Sequence, residues 1–216
     1  MGMKMVVKTG DKYCYEDAKP VYGDNYKRGY IGFTFNPSSP VSNIIVKCTK
    51  YWNYSAIPIS HVLIVENEET CIEALMGKDD NKVARSPLSK YFDSEQLIFF
   101  RKPKDIDEAS LNTITETAVS SLGSPYETKQ LFGQIIRAGF FTRTFNKITN
   151  NVFADCLSNL IDDPKAFICS ELAAYCLKSA KNWEYHDKGI LKRSTCRVNP
   201  IELFEDRTIF KDWNIE

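Results

Sequence analysis

Residues Ala166–Lys178 read AFICSELAAYCLK, and this stretch decides how the fold is arranged. Pro164 and acidic residues precede it, and both suit the first turn of an α-helix. The spacing i, i+3, i+4, i+7 places four residues on one apolar face, which we expect to pack on a core: Cys169, Leu172, Ala173 and Cys176. Cys169 falls near the helix start, where free backbone N–H groups and the helix dipole favour a thiolate. The stretch therefore predicts one half of a cysteine nucleophile site, and the other half must be a histidine.

The sequence contains only two histidines, His61 and His186. His186 lies in WEYHDKG, a polar stretch that is typical of a solvated loop. His61 begins the apolar, β-branched run HVLIV, which predicts a buried strand. A polar turn at Asn67–Thr70 and a return strand at Cys71–Leu75 follow, so Pro58–Leu75 predicts a β-hairpin.

Side-chain parity selects the acid that would accompany His61. Because side chains alternate along a strand, His61 and Glu73 point to the same side of the hairpin if the turn has an odd number of residues. Glu66 has the wrong parity within the first strand. We therefore predict that Glu73 orients the His61 imidazole, in a triad of nucleophile, base and acid. The alternative is that His61 is a core histidine with a structural hydrogen bond.

Length and composition narrow the function classes. The 216 residues, 43% of them hydrophobic, suit a single globular domain over residues 1–216, with or without insertions. Since 28 basic residues balance 28 acidic ones, overall charge gives no support to a nucleic-acid partner. No apolar run suits a membrane helix or a signal peptide, so we expect a cytoplasmic protein. The seven cysteines form no C-x-x-C pair, which favours free thiols in a reducing compartment over structural zinc.

The remaining segments complete an α+β pattern. Tyr30–Phe35 and Gln96–Arg101 predict strands, and Val83–Tyr91, which contains a Ser-Pro turn, predicts a connection. Asp107–Leu122 predicts an amphipathic helix that Gly123 ends, and Asn199–Phe204 predicts the start of a short C-terminal helix.

Two segments lie outside this pattern. Residues 1–27 are polar and are interpreted as an N-terminal arm or extended strand. Thr128–Ala154 has no acidic residue, four basic residues and five phenylalanines, which is typical of a helical insertion or lid. One interpretation of this segment is an apolar wall for an acyl substrate or a contact with a membrane surface. The other is a packed insertion with a solvated basic face.

Five short motifs together resemble the permuted branch of the NlpC-type, papain-like cysteine peptidase and amidase superfamily, often called YiiX-like. In chain order they are SHVLIV at 60–65, IEA at 72–74, LGSPY at 122–126, ICSEL at 168–172 and NPIEL at 199–203. In the unpermuted family the cysteine helix precedes the histidine strand, whereas here it follows. The match covers residues 28–205, and the first strand opens Gly29-Tyr30 where the family usually has Gly-Asp.

The resemblance implies a papain-like, circularly permuted NlpC-type fold, in which a cysteine-bearing helix packs on a small antiparallel sheet. It also implies that Cys169 is the nucleophile, that His61 is the general base and later the acid, and that Glu73 holds the imidazole. By family position, Tyr126 would line the site and help to bind the oxyanion. This chemistry requires no metal and no organic cofactor.

The expected function is that of a cysteine hydrolase, a thiol protease or amidase, which cleaves an amide or ester bond through an acyl-thioester. The related lecithin:retinol-acyltransferase-like branch gives one alternative, a lipid acyltransferase or phospholipase with the same triad and a peripheral membrane contact. A catalytically silent binding module is another. The expected partners are peptide-like, N-acyl or lipid substrates, and the sequence leaves the substrate and the oligomeric state open.

Overall fold

The computed structural model describes residues 6–9, 11–14, 20–40, 42–43, 46, 57–75, 82–92, 95–125, 169–195 and 198–211. Its strands are, in chain order, β1 (Val6–Thr9), β2 (Asp11–Cys14), β3 (Ile31–Phe35), β4 (His61–Val65), β5 (Thr70–Leu75), β6 (Lys82–Pro87) and β7 (Leu97–Arg101). Its helices are α1 (Ser89–Phe92), α2 (Glu108–Ser120), α3 (Cys169–Ser179), a short 3₁₀ helix (Gly189–Lys192) and α4 (Pro200–Glu205).

Five of these strands form one small antiparallel sheet in the order β6-β5-β4-β3-β7. β3 lies between β4 and β7, and all five of its residues are buried. Helices accompany this sheet, so the predicted α+β class is confirmed at that level. The strands predicted at Tyr30–Phe35 and Gln96–Arg101 are present as β3 and β7.

The β4–β5 hairpin has the register on which the choice of Glu73 depended. Leu63 pairs with Glu73, and Val65 pairs with Cys71. The Glu66 amide donates to the Thr70 carbonyl at 3.0 Å, which leaves a turn of three residues, 67–69. The turn is one residue shorter than the predicted turn Asn67–Thr70, because Thr70 already pairs as the first residue of β5. Its length is therefore odd, the condition on which the choice of Glu73 depended, and His61 and Glu73 share one face as diagonal neighbours.

The two faces of the hairpin contribute to two different hydrophobic clusters, which is why both strands are almost continuously apolar. The even-numbered residues Val62, Ile64, Ile72 and Ala74 belong to the larger cluster, which also contains the apolar faces of α2 and α3. The odd-numbered face contributes to a smaller cluster: Leu63, Val65 and Cys71, together with Tyr26, Leu88, Tyr91 and Ile98.

The long helix α2 confirms the prediction for Asp107–Leu122. The Asp107 side chain caps it by accepting a hydrogen bond from the Ser110 amide at 2.8 Å. Leu111, Ile114 and Ala118 are buried on its inner side. After the helix, Gly123 has a φ of 81°, a left-handed conformation that favours glycine.

Helix α3 packs on both the sheet and α2, as its apolar face predicted. Leu172, Ala173 and Cys176 are all fully buried. The Ser170 hydroxyl donates to the Val198 carbonyl at 2.6 Å, which joins this helix to the chain just before α4. Helix α4 begins as predicted, with Asn199 as the cap and Pro200 in the first turn.

The segment Val83–Tyr91 is not the simple connection that the sequence predicted. The structure forms β6 at the edge of the sheet, paired along its length with β5, and then the short helix α1. On its outer edge, Val83 also exchanges backbone hydrogen bonds with Gly123 and Ser124, at 2.9 and 2.7 Å. Only Val83 and Ser86 of this strand are buried, which is why its sequence lacks an apolar pattern. Pro87 closes the strand, a position that an edge strand tolerates.

Some predictions fall on other parts of the chain. Within residues 1–27, β1 and β2 pair antiparallel, from Val6 with Cys14 to Thr9 with Asp11. The Phe-rich segment Thr128–Ala154 and the candidate residue Tyr126 lie outside the described residues. Across the ranges given above, no helix has the length and apolar character needed to cross a membrane.

Candidate active site

His61 and Glu73 form the centre of the candidate site. His61 is the first residue of β4, and its Nε2 donates to Glu73 Oε2 at 2.6 Å. The Glu73 side chain is fully buried, whereas 22% of the His61 side chain is exposed. The carboxylate therefore lies behind the imidazole, and one edge of the ring reaches solvent.

Cys169 is the second partner of the imidazole. The residue is only 6% exposed at the start of α3, and its thiol interacts with the imidazole closely enough to raise the pKa of His61. Because Nε2 is bound to Glu73, Nδ1 is the ring nitrogen that remains for another partner. Three residues that the sequence singled out from distant positions thus form one chain of contacts, from thiol to imidazole to carboxylate.

The electrostatics of this chain favour a charged imidazole. Burial alone would lower the pKa of His61, but the hydrogen bonds and charges of Cys169 and then Glu73 raise it to about 10. Burial opposes ionisation of Glu73 as well, yet His61 and then Lys90 hold the pKa of the Glu73 carboxyl far below its ordinary value. At neutral pH the pair is therefore an imidazolium beside a carboxylate.

Two residues that sequence reasoning missed complete the surroundings of Glu73. The Lys90 ammonium forms an ion pair with Oε1, and the Tyr91 hydroxyl donates to Oε2 at 2.5 Å. Burial and the Glu73 charge raise the pKa of Tyr91 well above its ordinary value, so the phenol stays a donor. Both residues belong to α1, and the only sequence signal was an adjacent Lys-Tyr pair between a Ser-Pro turn and a phenylalanine.

The other described cysteine thiols have no comparable partner. Cys71 and Cys176 are fully buried, and burial raises the pKa of each thiol well above its ordinary value. The Cys71 thiol donates to the Ser86 carbonyl at 3.6 Å. Buried thiols of this kind are inert, whereas a thiol beside an imidazolium is a reactive nucleophile when deprotonated. Of these three thiols, Cys169 is therefore the one with the surroundings of a nucleophile.

The remaining candidates lie elsewhere. His186 is in the loop after α3, with its Nδ1 2.8 Å from the Trp183 carbonyl oxygen, which agrees with its interpretation as a loop residue. Glu66 binds Arg85 through two hydrogen bonds of 2.6 Å and does not contact His61, as its parity predicted. In the described ranges, no group of three or more His, Cys, Asp or Glu side chains is placed to hold a metal ion.

The arrangement can support nucleophilic chemistry. The Glu73 carboxylate contacts the His61 imidazole on one oxygen and the Lys90 ammonium on the other. A buried charge is costly unless it is paired, and here each charge has an opposite one as its neighbour.

No protein-family model matches this chain, and a search of curated proteins finds no significant match.

Proposed function

We propose that this protein is a cysteine hydrolase that cleaves an amide or ester bond, with Cys169 as nucleophile, His61 as general base and acid, and Glu73 as the residue that orients His61. The observation that supports this most directly is the continuous contact from the Cys169 thiol through the imidazole to the buried Glu73 carboxylate. A histidine with a purely structural role needs one hydrogen-bond partner, whereas His61 has both a thiol and a buried carboxylate as partners.

The mechanism follows from the protonation states. The Cys169 thiolate attacks the substrate carbonyl, and His61 gives its proton to the leaving amine or alkoxide. An acyl-thioester remains on the sulfur. Water then attacks this thioester, with His61 accepting the proton, and the thiolate leaves. Glu73 holds Nε2–H throughout, which keeps Nδ1 directed at the reacting atoms.

Acylation itself prepares His61 for the second half of this reaction. The thiol contributes more than Glu73 to raising the pKa of His61. When the sulfur carries an acyl group, it has no negative charge and offers no ionic partner to the imidazole. The pKa of His61 must then fall, and a neutral imidazole becomes available to deprotonate water.

The fold that we propose is the permuted papain-like arrangement. Three observations support it: the sheet is small and antiparallel, α3 packs on it through Leu172 and Ala173, and the thiol of α3 meets the first residue of β4. The order of the motifs along the chain, histidine before cysteine, supports the permuted branch.

A lipid acyltransferase or phospholipase would use the same three residues. The feature that favours this second candidate is the composition of Thr128–Ala154, which has five phenylalanines, four basic residues and no acidic one. Such a composition suits an acyl chain or an anionic lipid surface. The two candidates differ in the substrate and in the acyl acceptor, and not in the nucleophile.

The first experiment is covalent labelling with an acyloxymethyl ketone probe, read by intact-protein mass spectrometry. We expect one adduct on the native protein, none on a Cys169→Ala variant, and labelling slowed about a hundredfold or more in His61→Asn. Cys176→Ala is the matched control, since it removes a thiol from the same face of α3, and we expect it to label normally.

Substrate class is read in parallel with a peptide library, N-acyl amides and phospholipid vesicles. Hydrolysis that depends on Cys169 with any one of these supports the enzyme and identifies its class. Labelling that persists in Cys169→Ala would contradict the assignment of the nucleophile. A native protein that neither labels nor hydrolyses anything would support the silent binding module.

A further inference from the structure

The carboxylate of Glu73 is shared by two cationic groups. His61 Nε2 and the Tyr91 hydroxyl lie on Oε2, at 2.6 Å and 2.5 Å, and the Lys90 ammonium lies on Oε1. The Glu73 side chain has no exposed surface, so solvent does not screen these contacts directly. The charge of each cation therefore affects the other, because both contact the same buried carboxylate.

Lys90 is held in this place by the fold. It lies on α1, which follows β6 directly, and Leu88 anchors the start of that helix. The Leu88 amide donates to the Glu69 carbonyl at 2.8 Å, and the Tyr91 amide donates to the Leu88 carbonyl at 3.0 Å. Leu88 itself is fully buried. The β4–β5 turn and α1 are thus joined, so the lysine is positioned beside the hairpin that carries His61 and Glu73.

The two cations are close enough to compete. Since each is within hydrogen-bond distance of a different oxygen of one carboxylate, they lie on the order of 6 Å apart. The other titratable groups around the carboxylate are Tyr91 from α1, Cys71 on the same face of β5 and, beyond His61, Cys169 from α3. Lys90 is the one cation besides His61 among these groups.

We propose that Lys90 is a positioning residue of this site, which neutralises part of the Glu73 charge and thereby weakens the hold of Glu73 on the His61 proton. The inference deepens the proposed function, on which its catalytic consequence rests. A proton that is held too strongly cannot be given to a leaving group, and an imidazole that stays protonated cannot act as the base for water. Lys90 would keep His61 able to do both near neutral pH.

A purely supporting role for Lys90 predicts the opposite sign. If Lys90 only held Glu73 in place, its removal would loosen the carboxylate and lower the pKa of His61, as a mild form of Glu73→Gln. If Lys90 competes for charge, its removal raises the pKa of His61, because Glu73 then has a single cationic partner. The direction of one titration therefore separates the two roles.

The titration is practical because the chain has only two histidines. All variants are made in a Cys169→Ala background, which removes the thiol contribution and resembles the uncharged sulfur of the acyl-enzyme. Imidazole resonances of His61 are followed by NMR against pH, and a His186→Gln variant assigns the two signals. We expect Lys90→Met to raise the pKa of His61 by about 0.5 to 1 unit and Glu73→Gln to lower it.

Two further variants control the interpretation. Lys90→Arg keeps the positive charge, so the pKa of His61 should stay within about 0.3 units of the background value. Lys188→Met removes a lysine of similar exposure, 40% against 35%, which pairs with Glu184 at 2.6 Å away from the site. We expect this change to leave the His61 titration where it was.

The outcomes are distinct. A rise in Lys90→Met that Lys90→Arg reverses supports the inference. A fall, or no shift, in Lys90→Met and in the polar variant Lys90→Gln overturns it, and circular dichroism on both establishes that they are folded. Since the titration needs no turnover, a chain that proves inactive overturns the proposed function and leaves this result readable. In an active enzyme, the same competition moves the pH at which deacylation becomes fast upward in Lys90→Met.

Discussion

Replacing Glu73 with Gln tests the central ion pair through protein stability. The substitution keeps the shape of the side chain and removes its charge. Opposite charges on the order of 4 Å apart, at an effective dielectric constant near 20, attract by about 4 kcal/mol. The desolvation of the buried carboxylate offsets part of this gain. We therefore expect Glu73→Gln to lower the free energy of unfolding by about 2 to 4 kcal/mol at its maximum.

The pH dependence of this loss has a predicted shape. The pKa of Glu73 is lowered by folding, so its contribution is present above pH 4.5, its ordinary pKa, and is lost as the pH falls below that. The pKa of His61 is raised from 6.5 to about 10, so its contribution is complete below pH 6.5 and is lost as the pH rises through about 10. The difference between native and variant protein should therefore be largest between pH 4.5 and 6.5.

Urea unfolding of both proteins from pH 3 to pH 10.5, in steps of about one unit, measures this difference. Glu66→Gln is the matched control, because Glu66 is a buried glutamate of the same hairpin whose partner is Arg85. Arg85 lowers the pKa of Glu66, and a guanidinium does not titrate in this range, so the control should lose its effect only on the acid side. A Glu73→Gln difference that stays constant up to pH 10.5, or that never exceeds about 0.5 kcal/mol, would refute the ionic pairing of His61 and Glu73.

Two further substitutions test the packing around the site. Tyr91→Phe removes the hydroxyl that donates to the buried Glu73 carboxylate, and we expect it to cost about 1 to 3 kcal/mol of unfolding free energy in urea at pH 7; an unchanged midpoint would contradict the hydrogen bond. Gly32→Ala places a methyl group about 2.8 Å from Leu63 Cγ across the β3–β4 pair, so either the Leu63 side chain or the backbone must shift. We expect about 1 to 3 kcal/mol of destabilisation by thermal or urea unfolding, and a variant as stable as the native protein would show that Leu63 repacks freely.

The hairpin and the contacts of His61 could be predicted because short-range rules fix them. A strand has a side-chain period of two, and a short polar turn limits the possible registers. Whether His61 and Glu73 share a face therefore depended only on whether the number of turn residues is odd or even. The apolar face of α3 likewise followed from helical spacing. The contact between Cys169 and His61 depends on tertiary packing, which short-range rules do not fix. The sequence predicted this contact only because histidines are scarce and because the motifs follow the order of the resembling family.

Lys90 and Tyr91 could not be predicted in the same way. They reach Glu73 through a four-residue helix that follows an edge strand, and the sequence of that strand lacks an alternating apolar pattern. A lysine beside a tyrosine in a polar segment resembles an ordinary surface pair. Whether this pair can reach Glu73 depends on where β6 ends. The end of an edge strand is set by pairing with its neighbour rather than by its own composition.

The number of residues in the turn at 67–69 decides whether Glu73 lies on the same face of the sheet as His61. Surface turns usually accept an added or deleted residue with little effect, since the strands they join remain paired. Here one extra residue would either be absorbed as a bulge or carry Glu73 to the opposite face of the sheet, away from His61, with most of the backbone hydrogen bonds intact. Homologues that keep the reaction should therefore differ in the length of this turn by two residues or by none. A homologue whose turn differs by an odd number of residues should keep the fold but lack a carboxylate in the place of Glu73 beside the histidine.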